Sequence, residues 1–328
     1  MSVIPWAVMA AASGTVAWLD PVAPTGPESV TTANNHLRMM FENDCAFGED
    51  RDYSHGTRFD YAHSLSRENS LSLSDAWGIS ISQNIYTPTT HTRGAVPGEH
   101  PYAGDFRVGG AYMQRWHNFG HCVELQVGMM GKAAFARDTQ NFVHKIGNME
   151  RWDGWGAQAP SEAAVQFSAR QDYRLSFLET HFANGWETDA MCYTQENIGT
   201  LHIDGRIGFN MRIGTNLPTN MQMTRSGGAN YGLGLLLKEN YNPAATSVFF
   251  TLGGDVGYYA RDYGIDGGVF HRFENKTVSR RPWQAELRAG VGVARRNVDY
   301  FAGAVYHTPS YRHGKGGLYG CFSITLNW

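Results

Sequence analysis

The end of the chain reads Leu318-Tyr319-Gly320-Cys321-Phe322-Ser323-Ile324-Thr325-Leu326-Asn327-Trp328, and this stretch decides the fold class. Apolar residues or glycine occupy every second position from Leu318, and the positions between them are mostly polar. Alternation with a period of two predicts a β-strand with one apolar and one polar face. The same pattern recurs over residues 203–213 and 283–293.

Two features of these strands favour a membrane barrel over a soluble sandwich. A transmembrane barrel turns its apolar faces to lipid and its polar faces to the lumen. The polar faces here carry opposite charges, as in Asp204 with Arg206 and Glu286 with Arg288, and these suit a lumen filled by side chains. The last strand also ends on an aromatic residue, Trp328. We therefore predict an all-β fold, a transmembrane antiparallel β-barrel of about twelve strands with a short α-helix in an extracellular loop.

The predicted strands also give a topology. They cover roughly residues 35–45, 54–66, 75–87, 104–117, 121–132, 161–174, 176–190, 199–214, 246–262, 281–294, 297–310 and 316–328. With both termini in the periplasm, connections 46–53, 88–103 and 133–160 face outside. The fourth, sixth and tenth connections are then very short periplasmic turns. The connection 215–245 is longer than periplasmic turns usually are.

Composition excludes other classes of protein. Of the 328 residues only 17% are charged, with a formal net charge of −3, so the chain lacks the basic stripe of a nucleic-acid binder. Residues 1–34 resemble a secretory signal and spacer, which leaves 35–328 as one barrel domain. The four cysteines are widely spaced and form no CxxC pair, so we expect isolated thiols.

Polar side chains gather in the external connections. The first hairpin reads Glu42-Asn43-Asp44 and then Asp52-Tyr53-Ser54-His55-Gly56, and the next connection contains Thr92-Arg93. In the third connection, residues 138–146 predict a helix capped by Asp138 or Thr139 and ended by Gly147. Gln140 and His144 then share one helical face.

Each group also has an ordinary structural explanation. Asp44 could end a strand, Ser54 could bond to the turn backbone, and Arg93 could be a solvated charge or a lipopolysaccharide phosphate contact. His144 could be a hydrogen-bonded loop histidine. A functional site is favoured because all four residues are predicted to lie on the same side of the membrane.

Five ordered motifs resemble the lipid A 3'-O-deacylases of Gram-negative outer membranes. They are Glu42-Asn43-Asp44, Asp52-Tyr53-Ser54-His55-Gly56, Gln83-Asn84-Ile85-Tyr86-Thr87-Pro88, Pro101-Tyr102-Ala103-Gly104 and Gln140-Asn141-Phe142-Val143-His144. The likeness extends from about residue 35 to the C-terminus and weakens after Trp155. It implies a monomeric twelve-stranded barrel in the outer membrane. It also implies that the protein uses Ca²⁺ to hydrolyse the ester holding the 3'-acyloxyacyl chain on the lipid A of lipopolysaccharide.

The resemblance assigns roles to residues at matching positions. It implies His144 as the general base, with Asn43 and Asp44 near the calcium ion and Ser54 as a site hydroxyl. Arg93 stands where a relative has lysine, so a catalytic and substrate-binding cation is kept, and Gln140 is a second candidate for substrate binding.

The chain departs from the family at two points. His100 stands where many relatives have arginine, and Glu150 aligns only loosely with a further metal carboxylate.

Two questions stay open at this stage. The chain could instead be a catalytically silent structural or adhesin-like barrel, or an outer-membrane phospholipase, although no Ser-His phospholipase motif is evident. Strict alternation also puts Glu42 and Asp44 on the lumen side of the wall and Asn43 on the lipid side. Because acyl chains lie outside the wall, we expect a site on the outer rim under the helix at 138–146.

Overall fold

The computed structural model describes residues 35–65, 74–90, 94–116, 118–218, 229, 245–273, 277–295 and 297–328. Its strands are β1 (Asn35–Asn43), β2 (Asp52–Leu65), β3 (Ser74–Thr87), β4 (Ala103–Arg115), β5 (Phe119–Met130), β6 (Ala163–Arg174), β7 (Thr180–His181), β8 (Trp186–Gly199), β9 (His202–Thr215), β10 (Ser247–Asp262), β11 (Trp283–Arg295), β12 (Val298–His307) and β13 (Gly317–Asn327). The α-helices are α1 (Ala136–Ile146) and α2 (Tyr263–Asp266), and short 3-10 helices cover Cys45–Phe47, Gly131–Ala134, Gly154–Ala157 and Ser176–Leu178. Within the described ranges, no helix has the length and hydropathy needed to span a membrane.

Twelve of these strands close into an antiparallel barrel, as the sequence predicts. Each long strand pairs with its neighbours in chain order, β1 pairs with β13, and β6 pairs with β8. The two-residue strand β7 stands outside the ring and pairs only with β8. Closure leaves no long strand of the ring with an unpaired edge, which a lipid environment demands.

The alternation of the sequence becomes the two faces of the barrel wall. Along β13, Leu318, Phe322 and Leu326 are exposed, whereas Tyr319 and Cys321 are buried. β9 and β11 follow the same rule, with apolar side chains outward and charged side chains inward. The outward faces therefore form the lipid-facing band of a membrane barrel.

Ion pairs fill the lumen. Arg58 contacts Asp60 at 2.6 Å and Glu124 at 3.1 Å, and all three side chains are buried. The predicted pairs also form, since Arg206 lies 2.9 Å from Asp204. Arg288 lies 3.4 Å from Glu286.

The long connection between β9 and β10 enters this lumen at its one described interior point. The Ala229 backbone N–H donates to Glu124, and the residue packs against inward-facing Ala62 and Cys122. At the start of the connection, Leu217 is fully buried and the Pro218 carbonyl accepts from Arg212 at 2.7 Å. These contacts hold Pro218 and Ala229 against inward-facing side chains of the barrel.

Three predicted details need correction. The seventh barrel strand runs over Trp186–Gly199 rather than 176–190, because the residues before it form a 3-10 helix and β7. The sixth connection is therefore not a short turn. Helix α1 begins at Ala136, two residues before the predicted start, and its N-cap is Phe135 in the left-handed region rather than Asp138 or Thr139. Gly147 ends it as predicted.

The four cysteines are free thiols, as expected. The predicted signal segment 1–34 lies outside the described residues. We call the end of the barrel that carries residues 44–51, 88–90, 94–102 and 131–162 the loop rim.

Candidate active site on the outer wall

Helix α1 lies against the outer wall of the barrel at the loop rim. Ala136, Gln140 and His144, which are four residues apart, form its buried face. A Cβ built on Gly104 of β4 would stand 2.3 Å from the Ala136 Cβ, so only glycine permits this approach. The outward side chain of Gln83 on β3 donates to the Ala134 carbonyl at 2.7 Å and fixes the entry to the helix. The helix under which the sequence predicts a site therefore lies on the outer side of the wall.

Beneath the helix lies a pocket with about 450 Å³ of empty space, open on one side. Its lining residues are Asn43, Cys45, Asp50, Ser54, His55, Ile85, Thr139, Gln140, Val143, His144 and Met149. Four of the six candidate residues from the sequence, Asn43, Ser54, Gln140 and His144, therefore meet in one place.

Strand geometry brings Asn43 and Ser54 to the outer side of the barrel wall. Glu42 is fully buried and lines the lumen, whereas the next residue, Asn43, lines the outer pocket. On β2 the register shifts between Tyr53 and His55. This bulge lets Ser54 and His55 both face the pocket while Tyr53 lines the lumen.

His144 is held by a hydrogen bond at one of its two ring nitrogens. Its Nδ1 lies 2.6 Å from the Glu150 carbonyl, so Nδ1 carries the proton and Nε2 is the basic nitrogen of the neutral ring. Nε2 is 3.6 Å from Asp50 Oδ2, and the Trp152 ring packs edge-on against the imidazole at 5.6 Å between centroids. A buried histidine fixed in this tautomer can accept a proton at Nε2.

Two partners of the site are absent from the sequence-based set. Asp50 lies in an ordinary acidic loop, and its spacing from His144 carries no sequence signal. Trp155 donates its indole N–H to Gln140 Oε1 at 2.7 Å, and both residues are buried. The adjacent acidic residue Glu49 is the one local feature of the sequence that marks Asp50.

The hydroxyl and amide groups of the pocket have defined partners. Ser54 Oγ hydrogen-bonds Thr87 Oγ1, rather than the turn backbone. Asn43 Oδ1 accepts from the Cys45 N–H at 2.8 Å. These bonds fix two oxygen atoms on the wall opposite His144.

Asp44 lies beside the pocket and is not one of its lining residues. Its Oδ2 accepts from the Arg51 N–H at 2.8 Å, and its side chain is almost fully buried. Burial raises the pKa of the Asp44 carboxyl to about 8, and the charges of Asp50 and Glu49 add to this shift. A cation bound beside Asp44 would offset both its burial and the repulsion from Asp50 and Glu49, and would so lower the pKa of this carboxyl.

Calcium takes carboxylate oxygens and the carbonyl oxygens of amides. Asp44 and Asp50 in the loop, and Asn43 at the end of β1, carry oxygens of these two kinds. Among the described residues, no three His, Cys, Asp or Glu side chains form a metal cluster. Amide or backbone carbonyl oxygens would therefore have to supply the remaining ligands of a calcium ion at this corner.

The sequence also singled out Arg93, His100 and Glu150. Arg93 is outside the described residues, so the structure does not test its role. His100 is buried on the lumen side, where it stacks on Tyr86 at 5.4 Å and its Nδ1 lies 2.7 Å from the Pro101 carbonyl. The side chain of Glu150 is exposed, and the contact of this residue with His144 is made by its backbone.

A closed antiparallel barrel with an apolar outer face is the architecture of an outer-membrane protein. The chain belongs to the family described as outer membrane protein LpxR, which matches residues 4–328. This membership confirms the resemblance found in the sequence, and the protein is located in the bacterial outer membrane.

Several solved structures are similar to this chain, and the first of them shares its fold. LpxR from Salmonella typhimurium matches with a TM-score of 0.72 and 18% identity, covering 89% of this chain and 100% of that one. The β domain of a Bordetella autotransporter matches at a TM-score of 0.42 and 11% identity, covering 90% and 99% of the two chains. An outer membrane channel from Pseudomonas putida F1 matches at 0.42 and 9%, covering 94% and 100%. No curated protein matches the sequence of this chain.

Proposed function

We propose that this protein is a calcium-dependent lipid A 3'-O-deacylase, which hydrolyses the ester of the 3'-acyloxyacyl chain in the outer leaflet. One observation carries the proposal. A histidine held by its Nδ1–H lines a pocket on the outer wall together with Asn43 and Ser54, where the acyl chains of a lipid can reach it. A porin or adhesin would not require a buried base at this position.

The residues support a direct attack of water on the ester carbonyl. His144 Nε2 takes a proton from water as the water oxygen bonds to the carbonyl carbon. The bond between that carbon and the sugar oxygen then breaks, and the imidazolium returns the proton to the departing oxygen. Asp50, 3.6 Å from Nε2, stabilises the transient imidazolium.

The opposite wall of the pocket supplies polar contacts. Ser54 and Asn43 hold oxygen atoms at fixed positions, and Gln140 is held by Trp155 for contact with the substrate. When bound by Asp44, Asp50 and Asn43, calcium would supply positive charge for the developing oxyanion. Arg93 stays the proposed cation for a lipid A phosphate.

We propose that the enzyme acts as a monomer, as the family resemblance implies, and that it is active. The intact set of Asn43, Ser54, Gln140 and His144 argues against a silent barrel. No observation favours a phospholipase.

Mass spectrometry of lipid A from a host that expresses the protein tests this function. We expect wild type to remove the 3'-acyloxyacyl unit and His144→Gln to leave lipid A intact. Lys145→Gln is the matched control, because the neighbouring Lys145 is exposed on the same helix, and it should behave as wild type. Intact lipid A from correctly inserted wild type, in medium containing calcium, would refute the proposal.

A further inference from the structure

Helix α1 has an exposed apolar face beside the face that covers the pocket. Phe142 and Ile146, one helical turn apart, are 64% and 71% exposed, and Phe135 just before the helix is 63% exposed. The third face of the helix is polar and consists of Arg137, Asp138, Asn141 and Lys145. Apolar side chains this large, grouped on one side of a helix, indicate contact with an apolar phase rather than water.

The lipid-facing band of the barrel continues directly into this face. Gln83, which holds the entry to α1, pairs across the sheet with Phe106, whose side chain points outward and is 38% exposed. Two residues from Gln83 along the strand, outward-facing Ile81 is 47% exposed and pairs with Val108. The helix therefore lies at the upper end of a wall that lipid already covers.

The same face reaches the pocket. Val143 and Met149 line the pocket and are also 40% and 45% exposed. They connect the pocket opening with Phe142 and Ile146. An acyl chain lying along the apolar face would pass these two side chains before it reached His144.

We propose that α1 is an interfacial helix whose Phe142–Ile146 face contacts the acyl chains of outer-leaflet lipid. Its polar face, with Lys145 and Arg137, is directed to the head groups and water. Val143 and Met149 form the lip over which a lipid chain enters the pocket. The membrane contact does not depend on the proposed reaction, so it can be tested without activity.

Site-specific photocrosslinking tests the contact. Benzoylphenylalanine is placed at Phe142 or Ile146, with the exposed residues Asp138 and Lys145 on the polar face as matched controls and Val108 in the lipid-facing band as the reference. All variants carry His144→Gln, so hydrolysis plays no part. After irradiation of outer membranes, an antibody to lipid A and a phospholipid label identify the adducts.

We expect lipid adducts at positions 142 and 146 at least five-fold stronger than at 138 and 145, and comparable with those at 108. Either lipid source supports the proposal, because both supply acyl chains. Adducts of equal strength on the two faces would overturn it. Crosslinked pairs of protein in place of lipid adducts would also overturn it, since they would mean that a second copy covers the face.

Discussion

The contact between Gly104 and Ala136 yields a sharp prediction about the site. Replacing Gly104 with alanine adds a Cβ that would stand 2.3 Å from the Ala136 Cβ. Carbon atoms in van der Waals contact lie ~3.5–4.0 Å apart, so the helix and the strand must separate by more than ~1 Å. Because α1 carries Gln140 and His144, this separation moves both side chains relative to Asn43 and Ser54 on the wall.

The size of the effect follows from that displacement. A misplacement of ~1 Å in a catalytic group can reduce the rate by ~10²-fold. Overpacking of a close contact costs about 1–3 kcal/mol, which a closed barrel with twelve paired strands should tolerate. We therefore expect Gly104→Ala to insert and fold, yet to release the 3'-acyl chain about 100-fold more slowly than wild type.

Two variants make this prediction specific. Gly110→Ala changes an outward-facing glycine of the same strand, and its added Cβ meets no atom within 4 Å. It should retain full activity. Adding Ala136→Gly to Gly104→Ala removes the clash and should restore most of the lost rate.

The assay is the rate of 3'-acyl release from purified lipid A, measured by mass spectrometry. The difference in gel migration between heated and unheated samples shows that each variant has folded. If folded Gly104→Ala hydrolyses lipid A within two-fold of wild type, the position of α1 on the wall does not control catalysis and the reasoning is wrong.

The remaining predictions concern single contacts of the pocket. Trp155→Phe removes the donor to buried Gln140 Oε1, which costs ~1–3 kcal/mol, and should raise KM more than it lowers kcat in steady-state assays; an unchanged KM would remove Gln140 from substrate binding. Asp50→Asn should lower kcat about 10-fold, since charged contacts contribute ~1.5–3 kcal/mol and Asp50 is partly exposed; unaltered kcat would contradict its role beside His144. Removal of calcium by a chelator should reduce the initial rate by ~10²–10³-fold, and added Ca²⁺ should restore it; full activity in chelator would exclude the ion. In calorimetry, Asp44→Asn should weaken calcium binding, whereas Asp138→Asn, on the exposed side of α1, should not; equal binding by both would misplace the metal.

Local sequence patterns predict most of the barrel and one face of the site. Alternation depends only on neighbouring residues, so it gives the inward and outward faces of β9, β11 and β13 correctly. The spacing of Gln140 and His144 likewise places both on the buried face of α1. These features need no knowledge of distant contacts.

The errors arise where distant contacts decide the structure. The seventh strand begins late because residues before it pair as β7 and a 3-10 helix, which alternation alone does not distinguish from a barrel strand. Asp50 reaches His144 only because α1 lies across the wall, so no spacing could reveal the pair. The bulge at Ser54 also follows from pairing with β3 rather than from its own sequence.

Hydrolysis in H₂¹⁸O tests the central claim most directly. Purified protein is mixed with lipid A and calcium in labelled water. The masses of the released acid and of the remaining lipid are then measured by mass spectrometry. If water activated by His144 attacks the ester carbonyl, one ¹⁸O enters the carboxyl of the released 3'-acyloxyacyl acid, and His144→Gln releases none. Label on the sugar, or equal release by His144→Gln, would contradict the account.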